Sequence, residues 1–224
     1  MKKHEVIAVC GAKGKTGSAV TKFLVEQGLE VVEVDPKLNV NLKEVISKVN
    51  CVVDFTTPEA VLENINICIE NGKDMVIGTT GWDLKILDLL NLKESQAIFV
   101  APNFSIGANL MMIFSKMASN FFEHWHIVEA HHINKKDKPS GTAKFTSEMI
   151  AGEIKSEQIS SIRLPGLVAH QSVIFSSNGE VLNITHHSMS RSSFGYGVKL
   201  AIEWCAKNSG IKVGLDSLIK ELLF

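Results

Sequence analysis

The sequence predicts an α/β protein in which a parallel-sheet domain is interrupted by an inserted α+β domain, and three observations carry this. The first hundred residues repeat a short apolar run, a turn and a helical pattern. Val6–Cys10, Glu30–Val34, Cys51–Phe55, Met75–Ile77 and Ile98–Val100 read as strands, most of them apolar throughout, as in a parallel sheet covered on both faces. Between His170 and His187 the pattern becomes two alternating runs joined at Asn178-Gly179, a strong signal for an antiparallel hairpin. After it, Gly195 opens an apolar helix, Val198 to Lys207, whose composition suits a cover for the first sheet. The predicted division is 1–103 plus 192–224 for the first domain and 104–191 for the insertion.

Composition narrows the class. A chain of 224 residues, 45% hydrophobic and 21% charged, can bury one good core or two modest ones. Its formal net charge of −1 gives no reason to expect nucleic acid or an anionic membrane as a partner. Cys10, Cys51, Cys68 and Cys205 are scattered, with no Cys-x-x-Cys pair, so neither a disulfide framework nor a zinc site is expected and the reducing cytoplasm fits best. The apolar run after the charged N-terminus is cut short at Gly11–Lys15, which fits neither a signal peptide nor a membrane span.

In order along the chain, Val6–Cys10 is followed by Gly11-Ala12-Lys13-Gly14-Lys15-Thr16-Gly17, a helix from about Ser18 to Gln27, and a second strand closing at Asp35. Strand, glycine turn, helix, strand and acid form the layout of a Rossmann-like dinucleotide-binding domain. Gly11 permits the tight turn, Gly14 lets the backbone approach a pyrophosphate, and Gly17 lets the helix pack on the strand. Asp35 is placed to accept from the adenosine ribose. A P-loop is excluded, because Val9 stands where that motif needs its first glycine. Pro36–Val49 is a short connection to the third strand.

Glu59–Asn71 has the apolar spacing of a helix on a sheet. The fourth strand ends in Gly78-Thr79-Thr80-Gly81 and the fifth in Ala101-Pro102-Asn103-Phe104-Ser105. Both endings would edge the ligand cleft of an open parallel sheet, although the first also reads as a plain turn and Asn103 as a helix cap. A helix over 105–122 follows, with Met111, Met112, Phe114 and Met117 as expected core.

His126–Ala130 reads as a strand, and the segment Glu129 to Ala143 then runs Glu-Ala-His-His-Ile-Asn-Lys-Lys-Asp-Lys-Pro-Ser-Gly-Thr-Ala. Ser140 stands at the N-cap of a helix running to about Ile154, so Gly141 and Thr142 begin it with N–H groups that have no acceptor within the helix. Such a terminus favours a carboxylate or phosphate. Two histidines and three lysines on the loop before it add proton donors and positive charge. Ser160–Leu164 reads as a further strand. A short helix is expected at the C-terminus beyond Gly210, which would cap the preceding one.

This segment closely resembles the signature of the dihydrodipicolinate reductase family, Glu-x-His-His followed by Lys-x-Asp-x-Pro-Ser-Gly-Thr-Ala. The Gly-Ala-x-Gly-Lys-x-Gly loop, Gly-Thr-Thr-Gly and Ala-Pro-Asn-Phe-Ser are similar to that family's motifs as well, so the resemblance covers nearly the whole chain. It implies NAD(P)H-dependent reduction of 4-hydroxy-tetrahydrodipicolinate in the diaminopimelate and lysine pathway, an inserted domain serving substrate binding and oligomerisation, and a cytoplasmic homotetramer. It also implies cofactor contacts at Gly11–Gly17, Asp35, Gly78, Thr79, Thr80, Ala101, Pro102, Asn103 and Phe104. Two features depart from the family: the run Arg163-Leu-Pro-Gly-Leu-Val-Ala-His170 is usually richer in glycine, and the segment after the second strand is often longer. The chain looks like a short form.

The implied chemistry adds a hydride to a conjugated cyclic imine dicarboxylate and then protonates the neighbouring carbon. That requires a cationic clamp and an acid titrating near neutrality, which points to His131. By resemblance, Lys135 is a second donor and His132 holds substrate, while Gly141 and Thr142 would bind one carboxylate. The family's Lys-x-Asp-x-Pro pattern falls on Lys135, leaving Lys136 and Lys138 as solvated charges. His170 and Arg191 are second-tier candidates. His124, His126, His186 and His187 have no acid or cysteine at ligand spacing, so no metal is expected. Asp35 favours NADH, whereas Lys13, Lys15 and Lys37 offer charge to the extra phosphate of NADPH; the expectation is use of either, leaning to NADH. The alternatives are a dinucleotide-binding sensor without turnover and an aspartate dehydrogenase-like reductase.

Overall fold

A computed structural model describes residues 4–223. The chain forms two compact units, Met1–Ser105 with Arg191–Ser217, and Ile106–Ser190 with Leu218–Phe224. The sequence pattern predicts all of 192–224 with the first; the last helix instead divides after Ser217. Its Leu215, Leu218 and Ile219 are all buried, and hydrophobic periodicity does not say against which core.

The first unit contains β1 (Val6–Cys10), α1 (Lys15–Glu26), β2 (Glu30–Val34), α2 (Leu42–Val45), β3 (Cys51–Asp54), α3 (Pro58–Asn71), β4 (Asp74–Ile77) and β5 (Ala97–Val100). Its sheet has six parallel strands in the order β10-β5-β4-β3-β1-β2, where β10 is Gly210–Val213. The register sets Cys10 beside Val34 and Asp54, Asp54 beside Ile77, and Ile77 beside Val100. The loops that leave β1 to β5 therefore start along one edge, the carboxyl end of the sheet, where an open parallel sheet takes its ligands. Apolar side chains from β1, β3, β4 and β5 join Val61, Ile65 and Cys68 of α3 in one core. Helix α6 (Gly195–Lys207) lies on β4 and β5, with Val198, Ala201, Ile202 and Cys205 buried.

β10 corrects the expected helix cap at Gly210. Gly210 N–H donates to Gln96 O and Gly214 N–H to Val100 O, docking four residues onto β5. So short a run carries no period of its own, and the available edge of β5 decides its conformation.

The second unit holds α4 (Ile106–Ala118), β6 (His124–His132), α5 (Gly141–Ala151), β7 (Ile159–Leu164), β8 (Ala169–Ser177) and β9 (Glu180–Ser188). The sheet order is β7-β6-β8-β9; β8 and β9 are antiparallel neighbours as the hairpin predicts, but β7 runs parallel to β6. Ile127, Val173 and Phe175 on one face pack with Ala143 and Ile150 of α5. Helix α5 stops at Ala151, short of Ile154, because Gly152 takes the left-handed conformation (φ 78°) that closes a helix.

Two further expectations change. Met111 and Met112 are core, yet Phe114 and Met117 are 45% and 46% exposed. In α4 the buried positions are Ala108, Asn109, Met111, Met112, Ile113 and Ser115, so the helical phase turns Phe114 and Met117 outward. His131 and His132 also end β6 instead of standing on the loop, since pairing of His131 with both Arg163 and Ala169 extends the strand.

Candidate active site

At the carboxyl end of the first sheet, Gly11 has φ 78° and its missing side chain leaves room for Phe55 O, which a Cβ would meet at 2.3 Å. A Cβ on Gly17 would lie 2.1 Å from Gly11 O, so α1 approaches the turn only as glycine. Helix α1 begins after Gly14 with no side-chain cap and no acid in its first turn. Its N-terminal N–H groups and dipole therefore suit a pyrophosphate. Asp35 leaves β2 as a buried carboxylate accepting from the backbone N–H of Lys13 and of Lys37, each at 2.9 Å. Burial opposes its charge, but those two N–H groups and the lysine ammoniums outweigh it and hold the carboxyl below its ordinary range. The Lys13 ammonium is paired with Glu33. This glycine turn and acid fit a dinucleotide.

Asp54, fully buried at the end of β3, ties the neighbouring loops together. It accepts from Thr56 Oγ1 at 2.7 Å, Thr56 N–H at 3.1 Å, Thr79 Oγ1 at 2.5 Å and Asn64 Nδ2 at 2.7 Å. Thr79 is thus engaged within the fold by its hydroxyl. Phe104 is fully buried, its ring near those of Phe55 and Phe99, so it shapes the loop from beneath. Asn103 Oδ1 accepts from Ser105 N–H at 2.8 Å, an Asx turn just before α4.

In the second unit, Glu129 and His131 stand two apart on β6 and share a face. His131 Nδ1 contacts a carboxylate oxygen of fully buried Glu129. Arg163, opposite His131 on β7, closes a fork on the same carboxylate: Nη1 to Oε2 at 3.0 Å and Nη2 to Oε1 at 2.9 Å. Burial opposes the charge of Glu129, but Arg163, the Ser161 hydroxyl and His131 hold its pKa below the usual carboxylate range. Burial also lowers the pKa of His131; Glu129 opposes this, while Lys135 and Arg163 add to it. The chain turns immediately after β6, Lys135 N–H donating to His132 O at 3.0 Å, and Lys135 Nζ pairs with Asp137 at 2.8 Å. Ser140 Oγ caps α5 by accepting from Ala143 N–H at 3.2 Å. Around Gly141 there is open space: a Cβ there would meet nothing within 4 Å.

Comparison with known proteins sets this geometry in context. The model described as "Dihydrodipicolinate reductase, N-terminus" matches residues 6–104, and "Dihydrodipicolinate reductase, C-terminus" matches 107–219. The chain belongs to the dihydrodipicolinate reductase family. Similar relatives include the 4-hydroxy-tetrahydrodipicolinate reductases of Cutibacterium acnes, 39% identical, and Nocardia farcinica, 36% identical, each alignment covering 95% of this chain and 98% of the relative. A similar solved structure is the dipicolinate-bound dihydrodipicolinate reductase from Paenisporosarcina sp. TG-14. It has a TM-score of 0.82 and 30% identity, covering 96% of this chain and 99% of that one.

For a member of this family, the structure gathers some of the expected site residues and separates others. Glu129, His131, Lys135 and Arg163 come together. His132 follows His131 on the same strand, so alternation puts it on the opposite face. His170 pairs with Ala130 and therefore also lies on that other face, where its ring meets His187 at a centroid distance of 4.6 Å. Arg191, Lys136 and Lys138 are exposed. Among the described residues, no three His, Cys, Asp or Glu side chains form a metal-holding group. Neither Asp54 nor Arg163 is marked as functional by its sequence pattern. Glu129 carried a usable signal, its spacing of two from His131 in a strand; Arg163 carried none, because only the parallel β6–β7 register delivers it.

Proposed function

We propose that this chain reduces 4-hydroxy-tetrahydrodipicolinate to tetrahydrodipicolinate, with NADH or NADPH, in diaminopimelate and lysine biosynthesis. The observation that carries this reading is the braced His131, beside Lys135, in the unit whose α5 opens with Gly141 and Thr142. The glycine turn Gly11-Ala12-Lys13-Gly14-Lys15-Thr16-Gly17 and Asp35 hold the dinucleotide, with Gly78, Thr79, Thr80 and the Ala101-Pro102-Asn103-Phe104 loop lining its nicotinamide half. The reduced nicotinamide, when bound, supplies the hydride.

The substrate is a small dicarboxylate, the class of ligand named for the Paenisporosarcina relative. One carboxylate sits on the N–H groups of Gly141 and Thr142, and Lys135 supplies a further contact. Loss of water from the 4-hydroxy compound gives a conjugated imine; hydride addition then leaves an enamine. His131 gives its Nε2 proton to the neighbouring carbon of that enamine, and Lys135 is the second donor. His131 is lowered by burial in the free protein, and the incoming carboxylates favour its charged form.

Pairing of Lys13 with Glu33 withdraws one cation from any added phosphate, and Asp35 repels it, so the cofactor preference leans to NADH. A cytoplasmic homotetramer fits the second sheet. Ile162, Leu164 and Val181 are 41%, 52% and 69% exposed and offer apolar surface for copies to meet. No helix among the described residues is long and apolar enough to cross a membrane. The test is spectrophotometric: NADH and NADPH oxidation with substrate generated in situ by the preceding synthase. Oxidation that depends on the synthase product supports the reading, and its absence with both cofactors refutes it.

A further inference from the structure

We propose that Glu129 and Arg163 are positioning residues for His131, with Glu129 fixing the imidazole as the Nδ1–H tautomer and Arg163 locking both the carboxylate and the loop that carries Lys135. The inference rests on the reading of His131 as proton donor. Both carboxylate oxygens of Glu129 are held by the Arg163 fork, and Oε2 also faces His131 Nδ1. A buried carboxylate beside a guanidinium stays ionised and only accepts. His131 Nδ1 must then carry the hydrogen, since the other tautomer would set a lone pair against a carboxylate oxygen. Nε2 is left as the atom that takes and gives the working proton.

Arg163 does more than neutralise Glu129. Its side chain is 4% exposed. Nε donates to Lys135 O at 3.3 Å, Nη2 to Asp137 O at 2.6 Å, and Nη1 to Ile162 O at 2.7 Å. One planar group therefore joins the carboxylate behind His131 to the carbonyls of Lys135 and Asp137, a geometry that lysine in its place would not reproduce. The charges facing His131 are Glu129 on its own strand, Arg163 on β7, and Lys135 on the loop, itself paired with Asp137. The directly opposite residue on β8 is the uncharged Ala169.

A merely structural ion pair would affect folding; a positioning one also moves the pH profile. His131 must be protonated to act as an acid, so turnover falls above its pKa and the alkaline limb reports that value. Glu129→Gln keeps the shape, removes the charge, and should move the limb down by about one to two pH units, roughly tenfold or more in rate on the alkaline side. Arg163→Lys keeps the charge, so the limb should stay in place while KM for the dicarboxylate rises severalfold as the Lys135 loop loosens. In the unsubstituted protein, nitrogen-15 NMR of the neutral His131 ring should show hydrogen on Nδ1, a readout independent of whether any variant folds. Hydrogen on Nε2 overturns the inference. So does an unmoved limb in Glu129→Gln alongside lost turnover in His131→Gln, a pair of results that leaves the donor role standing. Retained turnover in His131→Gln removes the donor role itself, and the inference with it.

Discussion

Replacing Asp54 by alanine tests whether the loops at the carboxyl end of the first sheet depend on one buried carboxylate. Its four hydrogen bonds come from Thr56 N–H, the Thr56 and Thr79 hydroxyls, and the Asn64 amide. A hydrogen bond to a charged group is worth about 1.5–3 kcal/mol net. The losses do not simply add. Thr56 N–H keeps a second acceptor, Thr79 Oγ1, at 2.7 Å, and hydroxyls can rotate toward other acceptors. The Asn64 amide and part of the hydroxyl contribution remain, so the expected loss is about 2–4 kcal/mol. Asp54→Asn is the control. Its carbonyl can retain the Oδ1 partners and Asn64 can flip its amide to accept, so the cost should be nearer 1 kcal/mol. Urea unfolding gives the stabilities, and KM for NADH reports the loops, which in the alanine variant lose the tether shared by Thr56 and Thr79. An alanine variant with the same unfolding midpoint and the same KM as the parent would refute the tether.

His131→Ala should lower turnover by about 10²–10⁴-fold, the usual contribution of one placed acid, with NADH affinity unchanged by titration; near-normal turnover would make His131 structural. Gly141→Ala should leave stability equal or up to about 1 kcal/mol higher, because alanine favours a helix and its Cβ enters open space. The same methyl intrudes on the carboxylate site, so substrate KM should rise; an unchanged KM moves that site elsewhere. Glu33→Gln releases the Lys13 ammonium and should shift the ratio of NADPH to NADH dissociation constants toward NADPH. The shift should be a few-fold at most, since the pair is over a third exposed and screened, and a constant ratio would mean Lys13 does not approach the phosphate.

Wherever function depends on local chemistry, the sequence by itself determined it. Gly11 and Gly17 announce the turn because a backbone at φ 78° in the first and an approach of 2.1 Å at the second exclude a side chain. Ser140 announces the start of α5 because a hydroxyl there satisfies the N–H of Ala143. The strands announce themselves by apolar runs, and the hairpin by Asn178-Gly179, because turn type depends on those two residues alone. Only the tertiary structure decided the rest. Gly210–Val213 is a strand because β5 offers an unpaired edge, a condition set more than a hundred residues earlier in the chain. Phe114 and Met117 face outward because helical phase is fixed by what α4 packs on. Asp54 reads as one more strand residue until Thr56, Asn64 and Thr79 converge on it. Arg163 looked like a departure from a familiar pattern; the parallel register of β6 and β7 sets it beside His131 and over Glu129. Register depends on long-range pairing, which no local spacing records, and here it supplies the support on which the placement of His131 rests.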